Sequence, residues 1–283
     1  MTYPKKTWRL IKTPPAHGPW NMAVDEAVLE AVGKGTVPPT LRLYAWEPPC
    51  LSLGYAQPVA DVSLEELTSR GWEIVRRPTG GRAILHTDEL TYSVIGLHDD
   101  PHLAGGILES YSNISQALLS ALHMLGIPAE AQENSTDPDG SRIERGVEKN
   151  KNPVCFEIPS NYEITANGKK LVGSAQARRK EGVLQHGSLP LCGDLTRVVQ
   201  VLKFPDDGTQ EDAAHRLANR AITAEGVLGY TISWETAAGS FAIAFRDTLN
   251  LDLQLSDLTT GERRRAEQLV QEKYTNPEWN YRI

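Results

Sequence analysis

The sequence predicts an α+β fold, a mixed β-sheet with helices packed against it. Helical stretches with one apolar face are interleaved with short strand-like runs. Several runs are joined by tight turns, and no regular strand–helix–strand repeat is visible. The 283 residues suffice for a real core in one or two domains.

Asn21 to Val32 reads as the first helix. Asn21 caps it, Asp25 and Glu26 occupy its first turn, Val24, Ala27, Val28 and Ala31 share a face, and Gly33 ends it. Thr40 to Trp46 alternates as a strand, with Leu51 to Tyr55 as its neighbour across a Pro48-Pro49 turn. Ser63-Leu64-Glu65-Glu66 opens a short helix that Gly71 closes. Strands are expected at Glu73 to Arg77 and Thr91 to Leu97. Leu108, Tyr111, Ser115, Leu118, Leu122 and Leu125 mark a helix stopped by Gly126 and Pro128. Gln132 to Pro153 is polar, with only Ile143 and Val147 as sizeable aliphatics, and reads as a long mobile loop. Strands resume at Asn161 to Thr165, Lys170 to Val172 and Gly187 to Leu191. Helices are expected around Thr209 to Asp212, over Ser233 to Leu249 and over Leu258 to Lys273.

Charge and cysteine usage exclude several function classes. Thirty-six acids against 29 bases leave a net charge of −7, which argues against a protein that coats nucleic acid. No apolar stretch follows Lys5 and Lys6, so no secretory signal is expected. The most apolar run, Leu108 to Leu125, contains Asn113, Gln116 and His123 and does not read as a membrane span. Cys50, Cys155 and Cys192 are far apart and form no CxxC pair. Neither a disulfide framework nor a structural zinc site is expected, and a reducing cytoplasm is the default.

Three segments carry chemistry. Arg76-Arg77-Pro78-Thr79-Gly80-Gly81-Arg82-Ala83-Ile84-Leu85-His86 is a strand running into a Gly-Gly turn flanked by arginines. Such a turn can present backbone N–H groups to a ligand, and arginines bind phosphate or carboxylate. A hairpin whose glycines only supply positive φ accounts for it equally well. The pattern is neither a P-loop nor a Rossmann fingerprint. Cys155, beside Val154 and Phe156, directly follows the polar loop, a common place for a catalytic group. Cys50 and Cys192 sit in apolar runs and read as core. In Asn167-Gly168-Lys169-Lys170-Leu171-Val172-Gly173-Ser174-Ala175-Gln176, the Asn-Gly turn puts Lys170 at the start of the return strand, at least partly exposed. A solubilising lysine reads equally well from that segment alone.

Taken in order, the Arg76–His86 strand–turn, Lys170 to Ala175 and Gln185-His186-Gly187-Ser188-Leu189 resemble the lipoate–protein ligase and octanoyltransferase family. Lys273-Tyr274-x-Asn276-Pro277-Glu278-Trp279-Asn280 is similar to it too, so the resemblance spans nearly the whole chain. Cys155-Phe156-x-x-Pro159-Ser160-x-Tyr162-Glu163 resembles its cysteine-dependent octanoyltransferase branch. Arg82 points the same way, because ATP-using ligases typically carry a third glycine there.

The resemblance implies a biotin/lipoate protein ligase-like catalytic fold enclosing a fatty-acyl tunnel. It implies one acyltransferase domain over 1–283, with a family-like core at about 35–250 and a helical segment at 251–283. The implied reaction moves octanoate from octanoyl-acyl carrier protein to a lysine of a lipoyl domain. That domain belongs to the glycine cleavage H protein or a 2-oxoacid dehydrogenase E2 subunit. By the same resemblance Cys155 is the thioester nucleophile and Lys170 holds the acyl carbonyl. Arg77, Gly80, Gly81, His86, Gly173, Ser174 and Ala175 match its binding-site motifs. No cofactor is implied, neither ATP nor metal, and the expected form is a cytoplasmic monomer. Arg178, Arg179 and Lys180 are candidates for a patch that receives an acidic carrier protein. The competing readings are an ATP-dependent lipoate–protein ligase, a lipoyl amidotransferase and a non-catalytic acyl- or lipoyl-domain-binding module.

Overall fold

A computed structural model describes residues 3–133 and 162–283. In chain order the elements are β1 (Lys6–Lys12), α1 (Gly18–Gly33), β2 (Thr40–Tyr44), β3 (Cys50–Leu53), α2 (Leu64–Ser69), β4 (Glu73–Arg76), β5 (Ile84–His86), β6 (Glu89–Gly96), α3 (Ile107–Met124), β7 (Ala129–Glu133), β8 (Tyr162–Ala166), β9 (Lys169–Arg179), β10 (Gly182–Pro190), α4 (Asp207–Arg220), α5 (Ala224–Leu228), α6 (Trp234–Thr248), β11 (Leu251–Leu255), α7 (Thr260–Leu269) and α8 (Pro277–Asn280).

Among the described residues, eight strands form one sheet in the order β11-β1-β2-β6-β10-β9-β8-β7, and three form a second in the order β4-β3-β5. The large sheet is parallel across β11-β1-β2 and antiparallel beyond, which is the expected mixed sheet. Every residue of β6 and β10 is buried, because helices cover one face and α1 with the small sheet covers the other. On the first face Phe241 and Phe245 of α6 and Leu118 and Leu122 of α3 pack on Tyr92 and Val94. On the second, Val24, Val28 and Val32 of α1 pack with Ile95, Leu184 and Tyr274.

Several expectations change. Helix α1 begins at Gly18, not Asn21, because Pro19 suits a first turn and Glu73 Oε2 accepts the Gly18 N–H at 2.8 Å. A carboxylate from a distant strand thus does the work expected of Asn21. Asn21 is buried within the helix instead, and its amide donates to Ala16 and Ala45 carbonyls at 3.1 and 2.9 Å. Strand β3 is not the neighbour of β2; after the Pro48-Pro49 turn the chain leaves the large sheet and pairs with β4 and β5. The segment from 251 is not helical throughout: β11 adds in parallel to the edge strand β1. Of the loop expected at Gln132 to Pro153, Gln132 and Glu133 close β7, and the remainder lies outside the described residues. The helix over Leu108 to Leu125 is present, but Leu108 itself is 52% exposed.

Candidate active site

The small sheet lies over the β10–β6–β2 region of the large one, and a narrow cavity remains between them. Its walls are Met22 of α1, Tyr44 and Trp46, then Ser52, Ile84 and His86 of the small sheet. Arg77 and Gly81, Gly173 to Ala175, and His186 to Ser188 complete it. Six of the nine sequence-predicted site residues therefore meet: Arg77, Gly81, His86, Gly173, Ser174 and Ala175. Gly80 is beside them, in an adjoining cleft that Gly81 and Arg82 share with Tyr55, Gln176 and Arg179.

The Gly-Gly turn is shaped by sterics and by Arg77. Gly81 has φ +93°, and a side chain on Gly54 would meet the Gly81 carbonyl at 1.9 Å, so the two backbones touch. Gly80 has no such constraint. Arg77 is buried and donates to the Gly80 and Arg82 carbonyls at 2.8 and 2.7 Å, and to Ser52 O and Oγ at 2.8 and 3.1 Å. The guanidinium thus braces the turn.

Its bracing continues into a relay. Ser52 Oγ accepts from Arg77, which leaves its proton for His86 Nε2 at 2.7 Å; Nδ1 of the same ring then donates to Glu89 at 2.8 Å. Glu89 also accepts from Ser188 at 2.7 Å and from Thr91, which itself accepts from the Trp46 indole at 2.7 Å. Trp46 stacks on His86 with centroids 4.0 Å apart. The polar atoms of this wall satisfy one another, so much of what the wall offers the cavity is carbon.

A second network backs the opposite wall. Asp25 is fully buried and accepts from Arg42 at 2.8 Å, Ser93 at 2.9 Å and Tyr44 at 3.0 Å. Burial alone would raise its pKa; the Arg42 guanidinium and His186 outweigh it and hold the carboxyl below its ordinary value. His186 stands with Nδ1 3.5 Å from Asp25 and Nε2 2.7 Å from Thr79 Oγ1. Burial pulls its pKa down, which favours the neutral ring. Ser174 shares a 2.7 Å hydrogen bond with Tyr92, whose phenol burial pushes up to about 12. His186, Asp25, Ser52, Glu89 and Trp46 were not among the predicted site residues. Only His186 lay in a motif that pointed here; Asp25 comes from α1, and Ser52, Glu89 and Trp46 are brought in with the strands.

Lys170 is held differently from expectation. The Asn167-Gly168 turn is present, with φ of 52° and 71°, but Lys170 is only 6% exposed, and its ammonium meets Glu163 at 3.0 Å. Ile164 pairs with Val172 and Thr165 with Lys170, so Leu171 is an extra residue in β9. Leu171 and Val172 both join the core cluster of Tyr92, which turns Lys170 to the face of Gly173 and Ala175. It lies roughly 10 Å along the strand from Gly173 and is not part of the cavity wall. Lys169 points away and donates to Ala218 O at 2.7 Å. Cys155 lies outside the described residues. Cys50 is fully buried, and burial pushes its thiol pKa well up, as a core cysteine requires. Cys192 is half-buried rather than core. Of the basic patch, Arg178 turns inward to Leu103 O and Ser110, whereas Arg179 and Lys180 are exposed.

Residues 17–246 match the Lipoyl protein ligase A/B catalytic domain. The chain belongs to that family. It is 42% identical over 278 residues to the octanoyltransferase LipM of Kyrpidia tusciae, covering 98% of this chain and 99% of that protein. It is 40% identical to the octanoyltransferase LipM of Symbiobacterium thermophilum, covering 97% and 98%. Among solved structures, a lipoate-protein ligase A bound with ATP superimposes with a TM-score of 0.74 at 26% identity, covering 98% of this chain and 99% of that one. The bipartite lipoate protein ligase of Thermoplasma acidophilum gives 0.78 at 24% identity, covering 98% and 96%, and shares the fold. The family assignment and the mixed sheet with packed helices agree with what the sequence implied; the second sheet, β4-β3-β5, was not anticipated.

Proposed function

We propose that this chain is an octanoyltransferase that moves an octanoyl group from octanoyl-acyl carrier protein to a lysine of a lipoyl domain. The acceptor is that of a glycine cleavage H protein or a 2-oxoacid dehydrogenase E2 subunit. The observation that carries the reading is near-full-length identity, 36% to 42%, to proteins named octanoyltransferase LipM. The carbon-rich cavity between the sheets supports an acyl substrate, with Arg77, Gly80, Gly81, His86, Gly173, Ser174 and Ala175 forming or flanking its wall. The whole chain acts as one catalytic domain, a monomer in the cytoplasm. Among the described residues no helix is long and apolar enough to cross a membrane.

In the proposed reaction the Cys155 thiolate attacks the donor thioester carbonyl, and the carrier thiol leaves with a proton. The acceptor lysine amine then attacks the Cys155 thioester, an amide forms, and the cysteine regains its proton. The first exchange is near isoenergetic and the amide drives the second, so no nucleotide is required. Lys170 supplies positive charge that favours the thiolate and the developing oxyanion. Its orientation onto the face of Gly173 supports that role.

The test is capture of the intermediate. Incubated with octanoyl-acyl carrier protein and no acceptor, the enzyme is expected to gain one octanoyl group on Cys155, removable by hydroxylamine. Cys155→Ser is expected to lose turnover, because an alcohol without a dedicated base is a far weaker nucleophile near neutral pH. An acyl group mapped elsewhere, or full activity in Cys155→Ser, sinks the covalent route. The likeness to an ATP-bound ligase favours a second reading, an ATP-dependent ligase indifferent to loss of Cys155.

A further inference from the structure

The cavity has a direction. Its wall takes Gly173 to Ala175 from β9, His186 to Ser188 from β10, Thr91 from β6, and Tyr44 with the following Trp46 at β2, which is the order of the strands in the sheet. Three strand spacings make this path about 14 Å, room for an extended eight-carbon chain. Exposure falls along it. Gly81, Ser174 and Ala175 are open or half-buried, whereas Met22, Tyr44 and Ser52 are at most 1% exposed.

The large side chains at the closed end are not equally free to yield. Tyr44 donates to Asp25 at 3.0 Å and carries the Arg42 guanidinium 3.8 Å above its ring. Trp46 donates to Thr91 and stacks on His86. Ser52 is tied to Arg77 and His86. Met22 reaches the same end from α1 on an unbranched, rotatable thioether side chain that has no hydrogen-bond donor to anchor it. Ile84, the other sizeable aliphatic in the wall, pairs with Ser52 across the small sheet but is half-buried, whereas Met22 is 1% exposed.

We propose that Met22 closes the acyl tunnel and sets the length of acyl chain the enzyme accepts. The methyl end of an octanoyl chain abuts the Met22 thioether, and its carbonyl lies at the β9 end. This deepens the octanoyltransferase reading and rests on it. A tunnel ended by a flexible side chain, with rigid hydrogen-bonded neighbours, changes length when that one side chain changes size.

The experiment compares acyl carrier protein loaded with hexanoyl, octanoyl, decanoyl or dodecanoyl groups, and reads apo lipoyl-domain acylation by mass. Wild type is expected to favour octanoyl. Met22→Ala is expected to raise the decanoyl-to-octanoyl ratio of kcat/KM by about 10-fold or more, since each methylene in a closed apolar pocket discriminates by that order. Met22→Phe is expected to move the preference to hexanoyl, and Met22→Val to move it as Met22→Ala does, less far. The valine variant carries the test should the alanine variant not fold. Unchanged chain-length ratios in the folded variants overturn the proposal. Should wild type transfer none of the four, the functional reading has failed. The same ratios are then read as binding of free fatty acids of these lengths by calorimetry, where unchanged ratios again overturn the role of Met22.

Discussion

Lys170 and Lys169 are neighbours with opposite surroundings, and the difference is measurable. Lys170 is buried against Glu163, and removing it takes one partner from a carboxylate that is only 15% exposed. Lys170→Ala is therefore expected to lower stability by on the order of 2 kcal/mol, besides cutting turnover on the order of 100-fold. Lys169→Ala trims a half-buried side chain whose bond to Ala218 O is exposed, and is expected to stay within about 0.5 kcal/mol, with mild kinetic effect. Denaturant unfolding gives the first pair of values, and transfer rates at a temperature where both variants are folded give the second. Equal effects at the two positions would remove Lys170 from the mechanism. The sequence placed Lys170 correctly after its turn but not its burial. Exposure there depends on one extra residue, Leu171, that reverses the strand's alternation, and no local pattern marks a bulge of that kind. Asn21 shows the same limit, since its role as a cap was taken over by Glu73 from 55 residues away along the chain.

At the scale of elements, α8 and its flanks act as a clasp on the loop beside the site. Arg76 is fully buried and donates to the carbonyls of Asn280 at 2.9 and 3.1 Å, of Gly54 at 2.8 Å and of Gln57 at 2.7 Å. Asn280 answers by accepting the Arg76 N–H at 2.8 Å and donating to Tyr274 O at 2.8 Å. The loop from Gly54 to Gln57 is the one whose backbone touches Gly81, so the C-terminal motif is coupled to the Gly-Gly turn through one guanidinium. Asn280→Ala strips partners from two buried backbone groups and is expected to cost about 2–4 kcal/mol. Thermal unfolding of the full chain checks it; a loss under 0.5 kcal/mol would show that the clasp is dispensable. Helices with caps and periodic faces, such as α2, α3 and α6, were legible in the sequence. Strands β1 and β11 were not. Leu251–Leu255 is a short, largely exposed edge strand whose identity comes from pairing with β1, more than 240 residues away. Strands β9 and β10 were anticipated only in part: full burial of β10 on both faces erases the alternation that announces a strand, and the extra Leu171 breaks it in β9.

Across the whole molecule, two sheets closing on one cavity bring together motifs separated by about a hundred residues. Thr79 meets His186, and His86 stands within 3.3 Å of Ser188. The order of the motifs was enough to anticipate the fold and much of the cavity wall, because each motif keeps its own turn. The networks behind the wall, Asp25 with Arg42 and Glu89 with Ser52 and His86, were not legible, since they exist only once β2, β3, β6 and β10 are aligned. The central claim is that this molecule transfers an already activated acyl group. Its most direct test is acylation of an apo lipoyl domain by the purified protein with octanoyl-acyl carrier protein alone, in nucleotide-free buffer, read as the acceptor's intact mass. The expected result is an acceptor heavier by one octanoyl group, with no gain when free octanoate and Mg·ATP replace the donor. Acylation that appears only with free acid and Mg·ATP would contradict the account.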